Sequence, residues 1–285
     1  MINVIGLGKS GCQIAEMLSA YPQYVSYKID VGLKKSKNSF GIKEQPSVED
    51  YESKCPSFKT FLKNIEQNVL FVCNGSEKLT AMSLRVLQPI REKGCQVELL
   101  YIKPDNSYLF DNTALKHEKV AFNVFQQYAR SGLFERMYII DEKKVTDMVG
   151  DAPLLELDDK RNEVITQTYH MINVLKHSKP VVSALSEIGE ASRIATIGVS
   201  IFEKNERNHF YDLGFVKERE YYYAINENLI NKDKTLHKKI MKQLKQDSEE
   251  NLTISYAVYP TDYDMNTIYF VSYSNQIQGD CAIKP

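Results

Sequence analysis

The opening Ile2-Asn3-Val4-Ile5-Gly6-Leu7-Gly8-Lys9-Ser10-Gly11-Cys12 decides the predicted fold. A short apolar strand runs into G-x-G-x-x-G, and the apolar spacing of residues 12–20 is then helical. Glycines let the backbone approach an anion closely, and the free N–H groups at the start of a helix attract phosphate. We therefore predict a phosphate-binding loop at residues 6–11, with Lys9 and Ser10 as candidate contacts.

Two other interpretations of this loop remain open. The turn can pack tightly with no ligand, with Ser10 as a helix cap and Lys9 as a surface lysine. A Rossmann domain that binds a dinucleotide has the same pattern. Asp30 ends the next strand about twenty residues on, where such a domain places its ribose-binding carboxylate.

Strands and helices alternate along the first half of the chain. Apolar runs predict strands at 24–30, 69–72, 97–102 and 137–140, and helical spacing predicts helices at 56–68, 79–93 and 112–131. Residues 32–47 are polar and predict a mobile loop. Such alternation is typical of an α/β fold, a parallel sheet covered by helices on both faces.

The second half has a different pattern. A long helix at 158–176 precedes predicted strands at 194–202, 221–225, 252–259 and 267–273, with a basic helix at 228–246. Successive strands favour a smaller mixed-sheet domain. We therefore divide the chain into a nucleotide-binding domain at 1–157, a central helix at 158–176 and a C-terminal domain at 177–285.

Composition narrows the classes of function. The charges of the 36 basic and 37 acidic residues of the 285-residue chain nearly cancel. The chain as a whole therefore has no strong positive electrostatic field that would favour binding of nucleic acid. The lysines of the basic helix could meet DNA phosphates or an acidic partner, but acidic residues follow at once, so nucleic acid is not expected. The five cysteines are scattered, which predicts reduced thiols in the cytoplasm. The five histidines are scattered as well, which predicts no metal site. No apolar run is long enough to span a membrane.

A second loop follows the predicted strand 69–72 and carries Cys73-Asn74-Gly75-Ser76-Glu77-Lys78-Leu79-Thr80. Its place along the chain resembles that of the glycine-rich GGGTGTG signature of tubulin and FtsZ proteins. Four more segments resemble this family in order and spacing. They are the strand end at Lys103-Pro104, the segment at Ile140-Asp141-Glu142-Lys143, the Asn162-Glu163-Val164 triplet in the long helix, and the last strand at 267–274.

The resemblance implies a Rossmann-like GTPase domain that binds GTP or GDP, with Mg²⁺ as a possible companion of the phosphates. It also implies head-to-tail self-assembly into filaments, with an adaptor protein as a possible partner, and Asn162 as a guanine contact. The candidate binding residues are Gly6, Gly8, Lys9, Ser10, Gly11, Cys12, Asp30, Asn74, Gly75, Ser76, Lys78, Thr80 and Asn162.

This sequence departs from the family pattern in two places. Only Gly75 remains in the second loop, where Glu77 would repel a polyphosphate and Lys78 would offset that repulsion. Residues 176–180, after the long helix, contain none of the carboxylates that the family uses to polarise water, and Glu187 falls in an expected following helix. We therefore predict slow or absent GTP hydrolysis.

Two classes of function compete, with a non-enzymatic binding module as a third. An assembly protein of the tubulin/FtsZ kind accounts for the long helix that leads into a β-rich domain. A Rossmann-type enzyme using NAD or NADP accounts equally well for the glycines and Asp30, but the sequence offers it no obvious catalytic residue in a cleft. Binding of GTP, GDP and NADH at matched concentration distinguishes the two.

Overall fold

The computed structural model of the chain describes residues 1–109, 111–204 and 206–279. It forms two compact units, residues 1–166 and the residues from 167 onward, which divide inside the long helix. No helix in the described ranges combines the length and the apolar character needed to cross a membrane.

The first unit alternates strands and helices. Its elements are β1 (Ile2–Leu7), α1 (Gly8–Leu18), β2 (Tyr24–Val31), β3 (Ser39–Ile42), α2 (Val48–Ser53), β4 (Asn68–Asn74), α3 (Ser83–Arg91), β5 (Gln96–Lys103), α4 (Asn112–Arg130), β6 (Arg136–Asp141) and α5 (Glu142–Val149). The helix α6 (Leu157–Lys176) begins in this unit and continues past the division.

The strands of the first unit pair in the order β3-β2-β1-β4-β5-β6, and every pair is parallel. Strand β4 has the composition typical of a parallel sheet covered on both faces, because its residues 69–73 are a continuous apolar run and all are buried. The α/β fold predicted from the alternation is confirmed. The order reverses between β1 and β4, and ligands of such sheets bind at the carboxyl ends of the strands beside that switch point.

The predicted helix at 56–68 does not form. Phe58, Leu62 and Ile65 are buried as expected, but residues 59–64 form turns with irregular backbone on either side. Lys93 Nζ donates to the carbonyl oxygens of Leu62 and Ile65 at 3.0 and 3.2 Å, which satisfies backbone groups without a helical ladder. Phe40 of β3 packs on Phe58 with ring centroids 5.0 Å apart. The strand β3 itself lies inside the segment predicted as a loop.

The second unit is a smaller mixed sheet, as predicted. Its strands are β7 (Val182–Ala184), β8 (Ile194–Ile201), β9 (Asn208–His209), β10 (Glu218–Asn226), β11 (Thr253–Thr261) and β12 (Thr267–Ser274). They pair in the order β8-β12-β10-β11-β7, with β9 on β8, and only β10 and β11 run parallel among these pairs. The three tyrosines at 221–223 of β10 are all buried.

The predicted basic helix at 228–246 is interrupted. It forms α7 (Glu227–Lys232) and α8 (Leu236–Gln246) because the Asp233 carboxylate accepts hydrogen bonds from the Thr235 N–H at 2.7 Å and the Thr235 hydroxyl at 2.6 Å. Ile240 and Leu244 of α8 pack in the core of this unit with Phe270. The helix expected around Glu187 is absent, and that residue is exposed in an irregular segment.

Candidate functional site

Two loops meet at the switch point of the first unit. The first joins β1 to α1, and the second leaves β4 at Asn74 and passes through a 3₁₀ turn, Lys78–Met82. Both follow carboxyl ends of neighbouring parallel strands. This is the edge at which open α/β sheets bind ligands, and both predicted loops lie there.

Two of the three glycines in the first loop are required by packing alone. A Cβ on Gly6 would lie 2.1 Å from the carbonyl oxygen of Gly11. A Cβ on Gly11 would lie 2.5 Å from the carbonyl oxygen of Val72 in β4. Helix α1 therefore crosses β1 and β4 at a distance that only glycine permits.

The third glycine faces a side chain from the second loop. Gly8 adopts φ +77°, and a Cβ there would lie 1.5 Å from Glu77 Oε2. The other carboxylate oxygen, Glu77 Oε1, accepts a hydrogen bond from the Ser10 N–H at 3.0 Å. The backbone cradle predicted for a phosphate thus holds the carboxylate of Glu77.

The surroundings of the Glu77 carboxylate disfavour its ionised form. Burial raises the pKa of its carboxyl group, while the hydrogen bond from the Ser10 amide lowers it in part. Oε2 is buried and meets no hydrogen-bond donor among the described residues. Helix α1 has no acidic residue in its first turn and no side-chain cap of its own, so the charge that complements its N-terminus comes from Glu77.

Local hydrogen bonds fix the second loop. Asn74 Oδ1 accepts from the Ser76 N–H at 2.9 Å and from the Ser76 hydroxyl at 2.8 Å. The Thr80 hydroxyl donates to the Asn74 carbonyl at 2.6 Å and is buried there. A Cβ on Gly75 would lie 2.1 Å from the Tyr101 hydroxyl oxygen. These contacts hold the backbone so that Glu77 points toward α1.

A polar cleft lies beside this contact and encloses about 160 Å³. Its lining includes Ser10, Asn74, Ser76, Glu77, Glu142, Asp158, Arg161 and Asn162. Arg161 bonds Glu142 at 3.0 Å and also contacts Asp158. Lys9 Nζ lies 2.9 Å from Asp158; the Lys9 side chain is largely exposed and the Asp158 side chain is about half exposed. The cleft is smaller than the roughly 300 to 1,000 Å³ typical of ligand pockets.

The structure therefore brings together four of the predicted binding side chains, Ser10, Asn74, Ser76 and Asn162, at one cleft. Asn162 is buried, and its Nδ2 donates to Gln13 Oε1 at 2.6 Å. The Lys9 ammonium is paired with Asp158, and this contact is the main cause of its raised pKa.

Three other predicted side chains do not line the cleft and have partners of their own. Lys78 Nζ donates to the Pro46 carbonyl at 3.0 Å. Asp30 accepts from the Val31 N–H at 2.7 Å, and burial raises its pKa. The Cys12 thiol donates to the Gly6 carbonyl at 3.4 Å, and burial raises its pKa to about 12. Cys12 is thus a buried neutral thiol beside the loop.

Sequence reasoning missed the partners of the cleft, Glu142 and Arg161, and the contact between Glu77 and the Ser10 amide. It identified Glu77 only as a source of repulsion. A usable signal was present, since Glu77 is an acid in a loop next to a helix that carries no acid in its own first turn. Within the described ranges, no three His, Cys, Asp or Glu side chains are grouped to hold a metal ion.

Comparison with known proteins shows the fold. No family model and no curated protein matches the sequence. A GTPγS-form protofilament of Bacillus thuringiensis serovar israelensis TubZ matches with TM-score 0.69 and 12% identity, covering 94% of this chain and 86% of that one. The empty FtsZ dimer of M. jannaschii matches with TM-score 0.69 and 12% identity, covering 96% and 88%.

A third structure, the GTPγS-bound protofilament of CetZ2 from Haloferax volcanii, matches with TM-score 0.71 and 13% identity, covering 95% of this chain and 92% of that one. These likenesses extend over nearly the whole chain. The chain therefore has the tubulin/FtsZ fold, and the resemblance drawn from the sequence is confirmed at that level.

Proposed function

We propose that this chain is a self-associating cytoskeletal protein with the tubulin/FtsZ fold, which binds guanine nucleotide weakly and hydrolyses GTP slowly or not at all. One observation carries the nucleotide part of the proposal. The Ser10 N–H already holds a carboxylate oxygen at 3.0 Å, at the switch point of a parallel sheet. Backbone amides that hold a carboxylate there have the geometry to hold a phosphate oxygen.

The residues present fit a phosphate only after a rearrangement. Glu77 lies against the amides, and the cleft of about 160 Å³ is too small for a whole nucleotide. Once Glu77 moves away, the amides of the first loop would hold the phosphates and Asn162 would bond the guanine base. Any Mg²⁺ would be carried by the phosphates. Weak binding follows from the need to displace Glu77.

Slow hydrolysis follows from the segment after α6. Residues 176–180 contain no carboxylate, and the nearest acid beyond them, Glu187, is exposed in an irregular segment. Phosphoryl transfer to water needs a group that positions and activates the water. Without such a group we expect the bound GTP to persist.

Self-association is supported by the solved structures that share this fold, of which TubZ and CetZ2 are described as protofilaments. A head-to-tail contact between copies is heterologous and generates open filaments. An adaptor protein as a further partner, and a cytoplasmic location, remain predictions from the sequence.

Sedimentation velocity over a range of protein concentrations tests self-association, with GTP, with GDP and without nucleotide. We expect a sedimentation coefficient that rises with concentration. Calorimetry with GDP and NADH, and phosphate release from GTP, test the nucleotide site. A monomer at every concentration contradicts the assembly proposal, and binding of NADH in place of GDP contradicts the guanine site.

A further inference from the structure

We propose that the Glu77 carboxylate is the resident anion of the amide cradle, so that a phosphate enters the site only by displacing it. The inference deepens the proposed function and rests on its nucleotide site. It names a residue of this chain that competes with the ligand and thereby sets the affinity.

The positions of the atoms make carboxylate and phosphate mutually exclusive. Glu77 Oε1 lies 3.0 Å from the Ser10 nitrogen, and Oε2 lies in the space above Gly8 that the absence of a side chain leaves. A phosphate oxygen bonded to the same amide would have to take the place of Oε1. Two anions at one helix N-terminus also repel each other, and the low local dielectric strengthens that repulsion.

The backbone delivers Glu77 to this place and holds it. The Glu77 N–H donates to the Asn74 carbonyl at 3.2 Å, and the Thr80 N–H donates to the Glu77 carbonyl at 3.0 Å. Because β4 is the parallel neighbour of β1, the loop that follows β4 lies next to the start of α1. The order of the strands therefore places Glu77 beside the start of α1.

The contact is also incomplete, which makes displacement feasible. Oε2 is buried without a donor among the described residues, so one half of the carboxylate loses its hydration and gains no bond. When Glu77 swings out, that oxygen regains water, while a phosphate provides new acceptors for the amides. The exchange favours a ligand with more acceptor oxygens and more charge than one carboxylate.

The test compares the full-length chain with three variants, Glu77→Ala, Glu77→Gln and the control Glu66→Ala. Glu66 is exposed and precedes the amino end of β4, opposite the site. Calorimetry measures the affinity of each protein for inorganic pyrophosphate and for GDP at one pH and ionic strength. We expect Glu77→Ala to bind pyrophosphate at least about tenfold tighter than the unchanged chain.

We expect Glu77→Gln, which keeps the shape and the acceptor oxygen but loses the charge, to fall between them, and Glu66→Ala to match the unchanged chain. If Glu77→Ala does not fold, the isosteric Glu77→Gln decides. If all four proteins bind GDP with equal affinity, the proposal that Glu77 competes with phosphate is overturned, while the proposed nucleotide site stands. Failure of the folded Glu77→Ala variant to bind either ligand would overturn both the competition and the nucleotide site, and sedimentation would still decide self-association.

Discussion

Replacing Gly8 by Ala tests the contact with Glu77 through protein stability. The added Cβ would lie 1.5 Å from Glu77 Oε2, so the carboxylate must leave the cradle. The backbone at φ +77° also disfavours any side chain. The change therefore combines two costs, one from the backbone and one from the lost hydrogen bond to the Ser10 amide.

Their magnitudes follow from the geometry. A non-glycine residue in the left-handed region costs about 1 to 2 kcal/mol. A hydrogen bond to a charged group contributes about 1.5 to 3 kcal/mol, offset in part by the hydration that Glu77 regains. We expect Gly8→Ala to destabilise the first unit by about 3 kcal/mol in total.

Gly94→Ala is the matched control, because Gly94 has φ +74° and no atom within 4 Å of an added Cβ. It reports the backbone cost alone, about 1 to 2 kcal/mol. Gly8→Ala made in a Glu77→Ala background should cost the same small amount, since nothing is left to displace. The double-mutant cycle formed by Gly8→Ala and Glu77→Ala should then give a coupling free energy of about 1.5 kcal/mol between residues 8 and 77.

Urea unfolding followed by circular dichroism measures the free energies, and amide exchange in α1 assigns the loss to the first unit. Sites that do not interact are additive within about 0.5 kcal/mol. A coupling below that limit would refute the packing of Glu77 on Gly8. A cost for Gly8→Ala no larger than for Gly94→Ala would refute it as well.

Three further predictions concern packing, pH and the second unit. Gly11→Ala, whose Cβ would lie 2.5 Å from the Val72 carbonyl oxygen, should destabilise the chain by about 2 kcal/mol in urea unfolding, despite the better helix propensity of alanine. Since burial raises the pKa of Glu77 in the folded chain, the folded state binds more protons than the unfolded state between the ordinary glutamate pKa and the raised one. Stability should therefore fall as pH rises through that window, and Glu77→Gln should remove that part of the slope. Asp247→Ala should cost about 3 kcal/mol, because the carboxylate accepts from the buried Tyr221 hydroxyl at 2.9 Å and its loss leaves that donor unpaired.

Each of these has a control and a contradicting outcome. No loss of stability in Gly11→Ala would mean that α1 does not approach β4 closely. Asp30 interacts with Glu77 and its pKa is also raised by burial, so the pH comparison is repeated in an Asp30→Asn background. An unchanged slope in Glu77→Gln would contradict the buried carboxylate. Asp262→Ala, at an exposed position, should leave the free energy of unfolding almost unchanged. A loss of stability in Asp247→Ala no larger than in Asp262→Ala would contradict the role of the hydrogen bond between Asp247 and Tyr221.

The sequence predicted the parallel sheet because its strands are apolar runs separated by helical spacing. Val69 to Cys73 is such a run, and the structure buries it completely. The helix predicted from the sequence at 56–68 is wrong. The apolar spacing there fits a helix, but Lys93, distant in sequence, donates hydrogen bonds to carbonyl oxygens of the segment. Local patterns carry no information about such partners.

The candidate site shows the same limit. The strand–glycine–helix pattern located the cradle, since it depends on residues adjacent in sequence. The identity of the group in the cradle depends on the pairing of β1 with β4, which brings Glu77 to Ser10 across 67 residues. The sequence shows that α1 has no acid in its own first turn, but only the strand order identifies Glu77 as the residue that supplies one.

The Ser10 amide signal in an isotope-labelled NMR pH titration tests the resident carboxylate most directly. We predict that this signal shifts as Glu77 takes up a proton, with a midpoint above the ordinary glutamate pKa, and that Glu77→Gln abolishes the shift. A Ser10 signal that stays constant through this range, or that titrates identically in Glu77→Gln, would contradict the account.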